Sequence, residues 1–271
     1  MTRGAAASAL AGATGWLARI EDAGINASAP REQLWLDGWL IRRSPGKAKR
    51  ARCIQPVAPG RLGVDDKLSQ CRPLYAAAGL PLYVRITPFA QPPGLDRHLA
   101  ALGMARTDDS LVMALQSLDA IDAREAARWS SGKDETRLET VDAAAFADWV
   151  GSARGSSPGE RAAHADRIVH APVPHTAVVV RDSHGIALSG GQVASEGSLA
   201  GLYDIFTIDE VRGRGHAERV CRHLLETARR LGASAGYLQV DAANDRAKSI
   251  YRRLGFRDAY EYHYRTPTAS S

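Results

Sequence analysis

The chain has 271 residues, 45% of them hydrophobic and 24% charged, which is enough for two ordinary soluble domains of about 130 residues each. No apolar run approaches the roughly 18 residues of a membrane span, and Gly12, Thr14 and Gly15 break up the Ala-rich start, so neither a membrane partner nor a signal peptide is expected and the expected compartment is the cytoplasm. The net charge of +5 argues little for nucleic acid, because only five of 35 basic residues are lysine, an Arg-for-Lys bias that fits GC-rich coding; a mild positive field also suits a polyanionic cofactor.

In chain order, Ala9, Leu10, Ala13, Trp16, Leu17 and Ile20 fall at helical spacing. Strands are expected over 33–42, 52–57, 82–87 and 110–115, with a helix over 65–78. Trp35, Asp37 and Trp39 read as core and turn residues, or else as residues facing a cleft. The basic run 47–52 lies between two strand-like segments and reads as a solvated hairpin tip. A short helix over 120–129 and the polar stretch 130–135 mark a divide, giving expected domains 1–130 and 131–271.

The second half reads as a strand (137–140), two helices (143–153 and 159–170) and three strands (177–181, 186–194, 199–208). A long helix (215–231), a strand (235–240), a helix (246–254) and a final strand pair through Arg265 follow. This succession indicates a mixed α/β sheet. The series from Val84 to Gly103-Met104 resembles that from Leu238 to Gly255-Phe256, so the two halves read as copies of one fold.

The three cysteines, Cys53, Cys71 and Cys221, form no CxxC pair and read as reduced packing residues. His164, His170 and His175 come closest to a cluster, but no ligand spacing supports a metal, and none is expected.

Two motifs carry chemistry. Arg212-Gly213-Arg214-Gly215-His216-Ala217 follows the apolar strand ending Ile205-Phe206-Thr207-Ile208 and opens a helix. Glycines there let backbone N–H groups approach a phosphate at a helix N-terminus. Further on, Asn244 begins a segment in which Ala247, Ile250, Tyr251 and Leu254 share one helical face, closed by Gly255.

Together these residues resemble the GNAT family of N-acetyltransferases. Arg212-x-x-Gly215-x-Ala217 matches its pyrophosphate motif, and Asn244-x-x-Ala247-x-x-x-Tyr251-x-x-x-Gly255-Phe256 its last motif, in the right order. The whole chain is also similar to a tandem subgroup in which a degenerate module precedes the active one. The resemblance implies a GNAT fold and acetyl-CoA as co-substrate. Ile205, Phe206 and Thr207 would meet the pantetheine arm and acetyl carbonyl. Gly213, Arg214, Gly215, His216, Ala217 and Glu218 would wrap the pyrophosphate, with Arg212 beside them and Asn244 bonded to pantetheine. Tyr251 would protonate the departing thiolate.

The amine must lose a proton, yet the family's glutamate position holds Gln239, Gly201 supplies no base, and strand alternation turns Asp204 away from Tyr203. A water chain is therefore the expected route, with Tyr203, Gln239 and His263 as candidate acceptor contacts. Alternate members of the aromatic strand 260–265, Glu261 and His263 among them, either line that pocket or are satisfied edge residues. Pro59-Gly60-Arg61-Leu62-Gly63 lacks the phosphate pattern, so the first half is expected to bind no CoA. The expected activity is direct acetyl transfer to a primary amine of a small molecule or amino acid. The alternatives are a protein N-terminus or lysine as acceptor, or a non-catalytic acyl-CoA-binding module. The sequence leaves room for a homo-oligomer.

Overall fold

Asp37 and Gly38 both hold positive φ, 44° and 84°, and this shapes the first strand-like segment. Two successive left-handed residues make the tight turn of a two-residue hairpin. The segment expected as one strand over 33–42 is therefore two, β1 (Glu32–Leu36) and β2 (Trp39–Arg43), with Leu36 opposite Trp39. Trp39 is fully buried, whereas Trp35 is exposed. The Asp37 carboxylate accepts from the backbone N–H groups of Arg61 and Leu62, which hold it well down, at about 2.

The computed structural model describes residues 3–121 and 136–268. The expected helix over 120–129, beyond residue 121, and the polar stretch 130–135 lie outside the described residues. The remaining first-half elements are helix α1 (Arg3–Ala27), β3 (Ile54–Pro56), α2 (Val64–Ala77), β4 (Val84–Ile86), α3 (Leu95–Ala101) and β5 (Met104–Leu115). The second half adds β6 (Arg137–Val141), α4 (Ala143–Ala153), α5 (Pro158–Val169), β7 (His175–Arg181), β8 (Ala187–Glu196) and β9 (Leu199–Thr207). It closes with α6 (His216–Arg230), β10 (Ala235–Asp241), α7 (Asp245–Arg253) and β11 (Arg257–Pro267).

The described strands form one sheet in the order β1-β2-β3-β4-β11-β5-β10-β9-β8-β7-β6. Each half contains a strand–helix–strand–helix–strand series whose first two strands are parallel, β3 with β4 and β9 with β10. The third strands are exchanged. β5 lies antiparallel to β10, while β11 lies between β4 and β5. The expected final strand pair is thus one long strand, because both its partners come from the first half.

Helix α6 packs Val220, Leu224, Leu225 and Ala228 against Val178, Val193, Leu202 and Leu238 on one face. Each fully buried aliphatic side chain there contributes about 2 kcal/mol. On the other face, Ile20 and Ala23 of α1 cover Val112, Tyr237 and Tyr260. A Cβ on Gly24 would come within 2.7 Å of the Gln239 amide, so the bare glycine lets α1 close over β10.

The basic run is not a solvated tip. Lys49–Ala51 form a 3₁₀ turn with Ala51 buried and Lys49 paired to Asp108. Arg50 donates to the Tyr262 hydroxyl at 3.0 Å and to Ser28 Oγ at 3.3 Å. The three cysteines are free and buried.

Candidate active site

β9 and β10 pair only from Leu199–Ala235 to Leu202–Leu238 and then part. At the parting point β9 bulges: Gln192 faces Tyr203 and Gly190 faces Phe206, so Asp204 and Ile205 share the space opposite Gly191. Asp204 holds a φ of 53° there. A bulge breaks the two-residue alternation of a strand. Asp204 therefore lines the same cavity as Tyr203, not the opposite face expected from simple alternation.

On one side of the parted strands lies a cavity of about 670 Å³. Ile205, Phe206, Thr207, Arg212, Gly213, Gly215, His216, Ala217, Glu218 and Asn244 all line it. Arg214 is exposed and is not part of the wall. Gly213 and Gly215 hold φ of 88° and 84°, and Gly215 caps α6 without any side-chain hydrogen bond. Gly215 has no side chain to cap the first turn, and the helix presents its positive end to the cavity. Arg212 donates to the Thr207 carbonyl at 3.3 Å and pairs with Asp209 at 2.5 Å, tying the loop to the end of β9. Arg154, Arg246 and Arg253 add positive charge to the rim. Such a cradle fits a diphosphate.

Asn244 caps α7, its Oδ1 accepting from the Ala247 N–H at 3.0 Å, which leaves the amide NH₂ for a ligand. Tyr251 projects from the same helix, is only 9% exposed, and packs edge-on against Phe256. Burial pushes its phenol well above the ordinary range.

Tyr251, Asn244, Ala247, Ile205 and Arg154 also line a second cavity, of about 460 Å³, on the other side of the parted strands. Its wall draws Ser28, Ser44 and Arg50 from the first half, and Glu160, His164 and Arg167 from α5. Gln239 and Tyr203 are here, so the site brings together two of the three expected acceptor contacts. A Cβ on Gly201 would come within 2.4 Å of the Tyr237 ring. That position is bare to seat the ring, whose hydroxyl meets that of Tyr203 at 3.0 Å.

His263 lines neither cavity. It is buried on β11, with Nε2 2.8 Å from Asp96, which Arg265 also holds at 2.7 Å. Two of the strand's tyrosines are likewise bonded internally, Tyr260 donating to Glu21 at 2.6 Å and Tyr262 accepting from Arg50 at 3.0 Å. Glu261 is exposed and also outside both cavities, as are Trp35, Asp37 and Trp39.

Sequence reasoning missed the ionic cluster of the second cavity. Asp204 lies 2.8 Å from Arg154, 3.1 Å from His164 Nε2 and 3.1 Å from the Gln192 amide. Burial opposes its charge, but His164, Arg154 and Arg167 hold the carboxyl far below the usual range. His175, partly buried behind Tyr203, is pushed down to about 4, first by burial and then by Arg167. His170 is exposed and bonded to Asp166 instead. The spacing of Glu160, His164 and Arg167, one polar face of α5, was the readable signal. The bulge at Asp204 had none.

The family model described as "Probable histone acetyltransferase Rv0428c C-terminal" matches residues 14–265. The chain is 28% identical over 232 residues to the uncharacterized N-acetyltransferase YobR of Bacillus subtilis, covering 84% of this chain and 89% of that one. Its fold is similar to that of a GCN5-related N-acetyltransferase from Kribbella flavida (TM-score 0.67, 18% identity, 93% and 96% of the two chains). It is similar also to that of a tandem GNAT protein from the clavulanic acid biosynthesis pathway (TM-score 0.62, 16% identity, 81% and 76% of the two chains). Among the described residues no helix is long and apolar enough to cross a membrane. GNAT enzymes take acetyl-CoA as acyl donor, and the cradle at the start of α6 is compatible with it. The chain belongs to the Rv0428c C-terminal acetyltransferase family and is a GNAT-type N-acetyltransferase.

Proposed function

We propose that the chain transfers the acetyl group of acetyl-CoA directly to the primary amine of a small molecule, with Tyr251 as proton donor. One observation carries this reading: the two cavities meet at Tyr251, one suited to a diphosphate and the other predominantly polar. The uncapped start of α6 and the rim arginines hold the donor's phosphates, and the parted edge of β9 from Ile205 to Thr207 faces its arm. The amine enters from the second cavity and attacks the thioester carbonyl. As the carbon–sulfur bond breaks, the neutral Tyr251 hydroxyl donates to the leaving sulfur. Its raised pKa keeps that proton available at neutral pH.

Gln239 cannot accept the amine's proton. His164 takes it, either directly or through a water, with Asp204 beside it to stabilise the imidazolium. The first half supplies walls of the acceptor cavity and binds no CoA, because the Arg61 and Leu62 N–H groups of its 59–63 turn already serve Asp37.

A second reading, acetylation of a protein lysine or N-terminus, is favoured by the histone acetyltransferase description of the family model. The cavity of about 460 Å³, walled by both halves, suits a small molecule better than a peptide. Release of CoA from acetyl-CoA, measured against a panel of small amines and lysine peptides, tests these readings. Turnover with small amines alone supports the first. Turnover with peptides alone supports the second. A chain that binds acetyl-CoA but turns over neither would be a binding module.

A further inference from the structure

The acceptor cavity has two cations with no ion pair among the described residues, Arg167, which is buried, and Arg50, which is half-buried. Arg167 is 9% exposed and its guanidinium donates only to the Ala27 carbonyl, at 3.3 Å. Arg50 is held by neutral groups, the Tyr262 hydroxyl and Ser28 Oγ, with its guanidinium 5.7 Å from the Tyr203 ring centre. Neither has a carboxylate within ion-pair distance among the described residues, and Arg167 feels the charge of Asp204 only from farther off. Of the carboxylates that line the cavity, Asp204 is already engaged by Arg154, His164 and Gln192, Glu160 pairs with Lys47, and Asp241 accepts from the Ala243 N–H.

The surroundings worsen the imbalance. Arg42, 1% exposed, donates to the Ile25 carbonyl, and its Nε has no partner. Arg85 is matched by Glu21 and lies over the Tyr262 ring at 3.9 Å. Burial resists ionisation of the Tyr262 phenol, yet Arg50 and Arg85 draw it below its ordinary range. A buried guanidinium without a counter-ion is costly, and its planar donors match carboxylate or phosphate oxygens. The site is short of an anion, and it opens on the acceptor side.

Resting on the reading of this cavity as the acceptor site, we propose that the acceptor amine carries an anionic group, a carboxylate or a phosphate, held by Arg50 and Arg167. Ser28 and Ser44, which line the same wall, supply neutral donors to it. Asp204 then faces the amine end, so the cavity is polarised to match an amine and an anion on one small molecule. An uncharged monoamine or a polyamine would leave both arginines unmatched.

The test uses the full chain and matched acceptors: amino acids against their amides, and amino-sugar phosphates against the free amino sugars. The anionic member of a pair is expected to show a kcat/KM higher by roughly 10- to 100-fold. Arg167→Gln and Arg50→Gln should erase most of that preference, while Arg167→Lys should retain part of it; melting curves establish that each variant folds. Calorimetric titration with an N-acetylamino acid and its amide gives a readout that needs no turnover. Preference for carboxylate or for phosphate identifies the source of the anion.

Equal turnover and equal binding of charged and uncharged members would overturn the inference and leave the transferase reading standing. If no small amine is turned over but the anionic ligand still binds better in an arginine-dependent way, the inference holds and the small-amine reading fails.

Discussion

Nε2 of His164, on α5, stands 3.1 Å from Oδ2 of Asp204, at the bulge of β9. The pair borders the cavity where the amine would approach, and the left-handed Asp204 exists only because the strand bulges there. A residue held in such a conformation is stabilised by its surroundings, and here four polar side chains surround it. His164→Ala is expected to lower kcat by about 100-fold with little change in the KM for acetyl-CoA. Partial rescue by added imidazole would separate loss of a base from loss of packing. An unchanged kcat would remove His164 from the mechanism.

The cradle at the start of α6, proposed to hold the phosphates, rests on glycine backbone. Gly215 holds a φ of 84°, a conformation that costs an L-residue roughly 1–2 kcal/mol. Gly215→Val should therefore raise the KM for acetyl-CoA by at least about 10-fold and lower the melting temperature by a few degrees. Steady-state kinetics at saturating acceptor checks the first effect and calorimetry the second. A normal KM for acetyl-CoA would place the diphosphate elsewhere.

Acid sensitivity follows from His175. Its pKa of about 4 lies below the ordinary value of 6.5, so between those values the unfolded chain binds a proton that the folded chain refuses. The contribution to stability is complete above about pH 6.5 and disappears as pH falls to about 4. It amounts to roughly 2–3 kcal/mol. Denaturant melts across this range should show wild type losing stability toward pH 4 while His175→Leu keeps a flatter profile. Parallel profiles would contradict the assignment.

The strand exchange predicts joint folding. Without residues 1–130, β10 and β11 both lose their contacts with β5, and β10 has an unpaired edge next to the acceptor cavity. A fragment 131–271 is expected to aggregate or to show little protection from hydrogen exchange, with protection restored on adding the fragment 1–130. A monomeric fragment with the full chain's protection pattern would show that the second half folds alone.

What the sequence disclosed follows chain locality. The loop 212–217 and the segment 244–256 are contiguous, so glycine conformation, helix capping and helical periodicity can all be read from neighbours, and the cleft they form was legible. The other strands of the second half were expected close to their observed bounds, whereas the expected final strand pair is the single strand β11. The exchange of β5 and β11 was not legible, because pairing between strands more than 100 residues apart leaves no local trace. The same holds for Arg50, whose basic run looks solvated until Ser28 and Tyr262 come to meet it. Asp204 was misplaced for a local reason: alternation holds only where no residue is inserted, and the bulge lies opposite Gly191, where a Cβ would come within 2.4 Å of Ile205. His263 had the right chemistry for an acceptor contact but lies on the far half of the sheet, bonded to Asp96.

In the proposed mechanism Tyr251 gives its proton to the leaving sulfur where the two cavities meet. The most direct test of this step is pre-steady-state release of CoA by wild type and Tyr251→Phe at saturating acetyl-CoA and acceptor. The hydroxyl has no partner among the described residues, so the variant should fold and bind acetyl-CoA normally. The account predicts a rate of CoA formation about 100-fold lower in the variant. Equal rates of CoA formation in the two proteins would contradict it.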